Sequence, residues 1–339
     1  MQISLLYDMI LAAILAALVA VMATPQVKRL AFRAGVVREP RSRDAHDKPT
    51  PLWGGLAMFA GFMIAVLAMR LITHQELTVA VGRGQHPVLG ILLGAMVIAT
   101  VGLLDDRYDL PPKLQAGTLL LGGLIAALLG ARIVGVTNPF APLPSTLHPY
   151  SANNFIPLGA FSIPVTMAWV FLVAKTFDFL DGLDGLAAGV CAIAAMTMGL
   201  MAARDGDVAV AVMGGALVGA CLGFLRYNYS PASIFMGTVG AQFLGFVLAM
   251  LAIVGAFKIP AAISLLVPLL VLGVPVIDGL YVIARRLYLR QAPQVADRTH
   301  IHHRFRDRGL SVTASVWSIY GLTAVGCVAA LLLAWKWAR

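Results

Sequence analysis

Charge is what this chain lacks. Only 12% of its 339 residues are Asp, Glu, Lys or Arg, and 60% are hydrophobic. A soluble domain carries about 25% charged residues, so most of this length is unsuited to a water-exposed fold. Cysteine is scarce as well. Cys191, Cys221 and Cys327 each fall inside an apolar run without metal-like spacing, which leaves them as small core residues rather than metal ligands. Low-complexity tails and internal repeats are missing too.

What the chain has instead is apolar runs of roughly 20 residues, each long enough to cross a bilayer. About ten are expected, near 4–24, 54–72, 87–104, 115–135, 161–177, 186–203, 208–225, 241–257, 261–284 and 313–335. The first is not read as a secretory signal, because its flank holds Asp8 and no Lys or Arg, and the run is too long for an h-region. The expected fold is one all-α polytopic membrane domain, residues 1–339, with about ten transmembrane helices. The Pro- and Ser-rich stretch 138–154 reads as a connector.

The scarce charges are not spread evenly. With the first residue outside and alternating spans, eighteen of the 25 Lys and Arg residues fall in inward loops, as the positive-inside rule favours. The net charge of +9 is then a cytoplasmic charge. It controls topology and attracts anionic headgroups, or serves an anionic substrate on that face. Nucleic acid is excluded as a partner on the ground that these bases share short loops with acids.

Twelve of the sixteen acids share the same side. Several stand at the ends of apolar helices, where ionisable groups are costly and mark function by default. Asp105 and Asp106 lie at the C-terminal end of the third run, with Asp109 just beyond. There the helix dipole disfavours each carboxylate by about 0.3–1 kcal/mol. A cation would offset this: Lys113 or Arg107 as a structural partner, or Mg²⁺, which takes one or two carboxylates with phosphate oxygens and waters.

Between the fifth and sixth runs stands Lys175-Thr-Phe-Asp178-Phe-Leu-Asp181-Gly-Leu-Asp184-Gly. Asp184 is placed to cap the next helix or to bind a ligand. Lys175 and Asp178 share a helix face and form, at the least, an ion pair. Downstream, Asn228 and Phe235 suit the edge and face of a base. His300, His302, His303 and Arg304 suit a phosphate-rich ligand; a zinc site or a solvated loop are the other readings of these histidines.

In order along the chain, these segments resemble the polyprenyl-phosphate N-acetylhexosamine-1-phosphate transferases. The matches are His46-x-Lys48-Pro-Thr-Pro51 with Gly54-Gly55, Gly102-Leu-Leu-Asp105-Asp106, Asp181-Gly-Leu-Asp184-Gly, Asn228-x-x-Pro231, Phe235-Met-Gly237, Pro275-x-x-Asp278 and His300-Ile-His302-His303-Arg304. The last is more like the UDP-N-acetylglucosamine branch than the peptidoglycan branch. The resemblance implies attack by a polyprenyl phosphate on a UDP-sugar in a cytoplasm-facing cleft of the bacterial inner membrane, with Mg²⁺ (or Mn²⁺) on the diphosphate and UMP released. The envelope glycan could be lipopolysaccharide or teichoic acid, and the family often forms homodimers. By resemblance Asp105 is the base candidate, and Asp106 and Asp181 are near the metal. Lys48, Lys113, the histidines and Arg304 hold phosphates, Asp184 and Asn228 lie near uridine, and Phe235 stacks on uracil.

Two positions depart from the family pattern. Its Asn-x-x-Asn-x-x-Asp is Lys175-x-x-Asp178-x-x-Asp181, and the metal-binding Asp after Phe-Met-Gly is Thr238. In one reading Asp178 replaces the lost metal ligand and Lys175 contacts a phosphate. In the other Lys175 stands in for the metal, in a protein that binds lipid phosphate or nucleotide with altered or no turnover. A transporter is the rival from another class. It would show ionisable residues at mid-membrane or on both faces, and broken helices in paired repeats, which the pattern does not display.

Overall fold

In hydrocarbon every backbone N–H and C=O must be satisfied within the segment, so long apolar runs can only become helices. A computed structural model of the chain describes residues 3–39, 49–73, 85–137, 155–255, 268–289 and 300–336. Within them lie α1 (Ile3–Arg33), α2 (Gly54–Thr73), α3 (Pro87–Tyr108), α4 (Pro112–Leu128), α5 (Ser162–Leu180), α6 (Leu186–Asp205), α7 (Val208–Asn228), α8 (Gly237–Val254), α9 (Gly273–Tyr288), α10 (Ile301–Asp307) and α11 (Val312–Lys336). Eight of these are long and apolar enough to cross a membrane. The chain is an all-α, multi-span membrane protein.

Two expected spans differ at their ends among the described residues. The fourth run is helical for seventeen residues and stops at Leu128. Gly130 then takes a φ of 107°, and the chain enters a short antiparallel pair, Gly135–Thr137 with Phe155–Pro157. Of the ninth run, Gly273–Tyr288 is helical and carries Asp278, Arg285 and Arg286, ending beyond the expected 284. It is amphipathic rather than evenly apolar. Residues 256–267, the connector 138–154, and the segment with His46 and Lys48 lie outside the described residues.

α6, α7 and α8 form the interior and are buried over most of their length. α1 is buried along one stripe only: Leu5, Met9, Ala12, Ala16, Ala20, Thr24, Val27 and Ala31. That stripe lies on α7, where Gly215, Gly219 and Gly223 recur every fourth residue. A Cβ at any of them would collide with the α1 backbone. Small residues at this spacing let membrane helices approach closely.

The helices alternate in direction. The C-terminal ends of α3, α5 and α7 meet the N-terminal ends of α2, α4, α6 and α8 at one end of the bundle, through hydrogen bonds that cross between them. A two-residue antiparallel pair, β1 (Val37–Arg38) with β2 (Thr50–Pro51), closes this end.

Candidate active site

Asp106 resolves the cost of a carboxylate at the wrong end of a helix. The Thr238 N–H donates to its Oδ1 at 2.7 Å, and the Val239 N–H lies 3.5 Å from its Oδ2. These N–H groups open α8, so the positive end of α8 faces the acid that the negative end of α3 disfavours. Neither Lys113 nor Arg107 does this work. Lys113 is exposed, and the Arg107 guanidinium lies over the Tyr108 ring at 5.4 Å. Gly237, with φ 71°, makes the seat possible, because a Cβ there would collide with the Asp106 carboxylate.

Asp105 is held differently. Its Oδ1 accepts from the Leu110 N–H at 3.1 Å and from Gln115 Nε2 at 2.7 Å. Asp105, Asp106 and Asp109 together line an open cleft of about 340 Å³, with Val37, Arg38, Glu39, Leu52 and Thr238. Of the departures from the family pattern, Thr238 therefore stands in the cleft.

Lys175 and Asp178 are not among the residues lining that cleft. Lys175 Nζ lies 2.7 Å from Asp178 Oδ2 and donates to Gln115 Oε1 at 2.8 Å. Gln242 Nε2 also reaches Asp178 Oδ2, at 3.4 Å. The plain ion pair is thus present. It engages one Asp178 oxygen, Oδ2, which is shared by two donors, and it gives the Lys175 charge a carboxylate partner.

Asp181 ends α5, where its backbone N–H donates to Phe177 O. Burial pushes its carboxyl up to about 7; Arg38 opposes this, and the nearby Asp178 and Asp184 carboxylates reinforce it. A carboxylate this reluctant to ionise alone is suited to a site that receives a cation.

Asp184 and Asn228 clip two loops together. The Ala232 N–H donates to Asp184 Oδ2 at 3.0 Å. The Gly185 N–H donates to Asn228 Oδ1, and Asn228 Nδ2 donates to Ile234 O, both at 3.0 Å. Asn228 is 2% exposed, so its amide holds backbone and is not open to a base edge. Nor does Asp184 cap α6: the cap is Gly185, with φ 78°. Tyr320 of α11 completes the clip, donating to Gly185 O at 2.7 Å.

The clip carries Phe235 to the hairpin. Phe235 N–H donates to Pro51 O, and Gly54 and Gly55 N–H donate to Phe235 O and Met236 O, all at 2.9 Å. Because Arg38 pairs with Thr50, its guanidinium comes over the Phe235 ring, 5.8 Å from the centroid. Arg38 was not anticipated as a site residue; nothing local marks it, since the hairpin that places it is two residues long. Asp109 was legible as the third acid of its cluster, and Gln115 was not.

His300 is tethered. Its Nδ1 lies 2.8 Å from Asp278 Oδ2, the Ile301 N–H donates to Asp278 Oδ1 at 2.8 Å, and its ring lies 5.4 Å from that of Phe179. The histidine segment is thereby bound to the end of α5 that leads into Asp181. Arg304 is exposed, with its guanidinium 5.6 Å from the Tyr281 ring centroid.

A sequence profile described as glycosyl transferase family 4 matches residues 88–256, from α3 through α8. The chain is 34% identical to a Bacillus subtilis protein named "Probable undecaprenyl-phosphate N-acetylglucosaminyl 1-phosphate transferase", over 96% of this chain and 84% of the relative. It is 33% identical to the decaprenyl-phosphate N-acetylglucosaminephosphotransferase of Mycolicibacterium smegmatis, over 96% and 83%. It is also 32% identical to the phospho-N-acetylmuramoyl-pentapeptide-transferase of Desulforudis audaxviator, over 91% and 90%. The chain belongs to the polyprenyl-phosphate N-acetylhexosamine-1-phosphate transferase family.

Proposed function

We propose that the chain transfers N-acetylglucosamine-1-phosphate from UDP-N-acetylglucosamine to undecaprenyl phosphate, releasing UMP, as the first membrane step of a cell-envelope glycan. The observation that carries this reading is the cleft at one end of the bundle, where Asp106 sits on the N-terminus of α8 beside Asp105 and Asp109. Relatives with this chemistry in their names match nearly the whole chain.

In the reaction an acceptor phosphate oxygen bonds to the β-phosphorus of the donor, and the bond from that phosphorus to the bridging oxygen breaks with UMP as leaving group. A phosphate monoester has its second pKa near ~6 and is largely dianionic at neutral pH. Proton removal is then a small part of the work, and positioning and charge neutralisation are the large part. Asp105, with one oxygen fixed by two donors, is placed to orient the acceptor.

Among the described residues no three His, Cys, Asp or Glu side chains form a ready-made metal cage. That fits Mg²⁺ on a diphosphate, which needs only one or two carboxylates; Mn²⁺ favours the same oxygen ligands. Asp106 and Asp181 are the residues assigned to hold it, without Asp178, and when bound it supplies charge neutralisation of the diphosphate. Phe235 is assigned to the uracil, with Arg38 beside it. Lys48, Lys113, His300, His302, His303 and Arg304 are assigned to phosphates. Asp184 and Asn228 act by holding the Phe235 loop. The cytoplasmic side of the inner membrane is assigned to the cleft because the basic loops lie there. A homodimer rests on the family resemblance.

The test is purified protein in nanodiscs with undecaprenyl phosphate and a panel of UDP-sugars, with Mg²⁺ or with EDTA. UMP and a lipid diphosphate sugar should form with UDP-N-acetylglucosamine and Mg²⁺. No product with any UDP-sugar would defeat the reading.

A further inference from the structure

Four polar side chains behind the cleft form a chain that the transfer reaction has not so far required. From the cleft inward it runs Asp105, Gln115, Lys175, Asp178, with Gln242 closing the far end. It joins the C-terminal end of α3 to α4, α5 and α8. We infer that Gln115 is a positioning residue for Asp105, and that Lys175 acts on the reaction only by locking the orientation of the Gln115 amide. This rests on the transferase reading above and deepens it.

A neutral glutamine amide has two ends and can be reversed. Here each end meets a charge. Gln115 Nε2 donates to the Asp105 carboxylate at 2.7 Å, and its Oε1 accepts from the Lys175 ammonium at 2.8 Å. Reversal would set the amide oxygen against a carboxylate and the NH₂ against an ammonium. The two unlike charges therefore hold the amide dipole in one sense, and hydrogen bonds to charged groups are roughly twice as strong as neutral ones. Linked bonds of this kind also polarise one another.

Lys175 is itself fixed. Asp178 Oδ2 lies 2.7 Å from its Nζ, and the two side chains are only 18% and 20% exposed. Gln242, 2% exposed, holds the same carboxylate oxygen. With Asp178 anchored from α8, Lys175 has little freedom to turn toward the cleft. The consequence falls on Asp105. Its Oδ1 is occupied by Gln115 and the Leu110 N–H, and among the described residues no hydrogen bond is made to Oδ2. The carboxylate rotation is set, and Oδ2 is the oxygen left for substrate. The departure from the family pattern at Lys175 and Asp178 is then a paired substitution by opposite charges that serves Gln115.

The inference is tested with three proteins beside the wild type: Gln115→Ala, the charge-neutral pair Lys175→Asn/Asp178→Asn, and the triple combination. The neutral pair avoids leaving Asp178 buried without its cation. Each is measured for kcat, for KM toward UDP-N-acetylglucosamine, and for melting temperature. Losing an orienting partner costs roughly 10–100-fold in comparable sites. Gln115→Ala and the neutral pair should each lower kcat by an amount in that range, with KM unchanged within about threefold, and the triple variant should be no slower than Gln115→Ala alone, since residues acting in one chain are not additive. A rise in KM in the neutral pair would mean Lys175 contacts the donor directly and would overturn the inference. So would a triple variant showing the product of the two losses, or variants that melt earlier at unchanged kcat. Inactive wild type would sink the transferase reading and this inference with it; active wild type with additive variants sinks the inference alone.

Discussion

Asp106 Oδ1 accepts a hydrogen bond from the Thr238 N–H at 2.7 Å, joining the last turn of α3 to the first turn of α8. The acid is thus a structural link between two spanning helices and a charge facing the cleft. Those two roles can be separated because asparagine keeps an acceptor oxygen and loses the charge.

Asp106→Asn should keep the seat on α8, with a stability loss within about 1 kcal/mol, while UMP release falls by roughly 100-fold or more, as expected when reacting groups lose their alignment. Asp106→Ala should lose activity and, having no acceptor for the α8 N–H groups, about 1–2 kcal/mol as well. Thermal melts run beside the UMP assay separate the two. Equal activity in Asp106→Asn and wild type would remove the carboxylate charge from the chemistry.

Thr238→Asp restores the acid that the family pattern has at this cleft position. Two carboxylates beside one helix N-terminus repel each other, and a divalent cation relieves that. The variant should melt earlier than wild type in EDTA and regain the difference in Mg²⁺. It should also reach half-maximal activity at a Mg²⁺ concentration lower by about threefold or more, since an added ligand charge tightens oxygen sites. A titration of activity against Mg²⁺ reads this directly; an unchanged or higher Mg²⁺ requirement would place residue 238 away from the cation.

Asp278→Ala removes the acceptor of both His300 Nδ1 and the Ile301 N–H. If the histidine segment holds the donor diphosphate, KM for UDP-N-acetylglucosamine should rise by roughly tenfold, in line with the loss of about 1–2 kcal/mol of orientation. His300→Ala should raise KM to a similar degree, and the double variant should be little worse than either single one. Independent, multiplying effects would show that Asp278 serves something other than His300.

Much of this site is legible in the sequence, for physical reasons that show in particular residues. Asp105 and Asp106 stand out because a carboxylate at the end of an apolar helix is expensive, and Lys175 with Asp178 because three residues make one helix face. What stayed hidden depends on which helix lies beside which. Gln115 has no signal of its own; its role comes from Asp105 on α3 and Lys175 on α5. Arg38 reaches Phe235 only because a two-residue hairpin sets it against Thr50. Asn228 read as a base-binding residue because a polar side chain in an apolar chain looks functional, yet its amide is filled by Gly185 and Ile234 backbone. Helix ends were harder to place than helices: composition does not mark the turn after Leu128, nor the amphipathic stretch that carries α9 on to Tyr288.

Asp181 gives the last prediction, through pH. Its carboxyl is pushed up to about 7 by burial, with Arg38 opposing and Asp178 and Asp184 adding to the rise. An unfolded chain would ionise it at its ordinary value of 3.8. Between those two values the folded protein holds the extra proton, so raising the pH through this window removes stability from the metal-free protein. A divalent cation reverses the balance, because it binds the ionised carboxylate and competes with the proton. In EDTA the melting temperature should therefore fall as pH is raised from about 5 to 8. In Mg²⁺ the fall should be smaller, and the Mg²⁺ concentration for half-maximal activity should increase by up to about tenfold for each unit of pH below about 7. Asp181→Asn has no proton to exchange and should make the melting profile in EDTA shallower. A variant that keeps the wild-type slope would show that another group titrates in this window and that Asp181 is not where proton and cation compete.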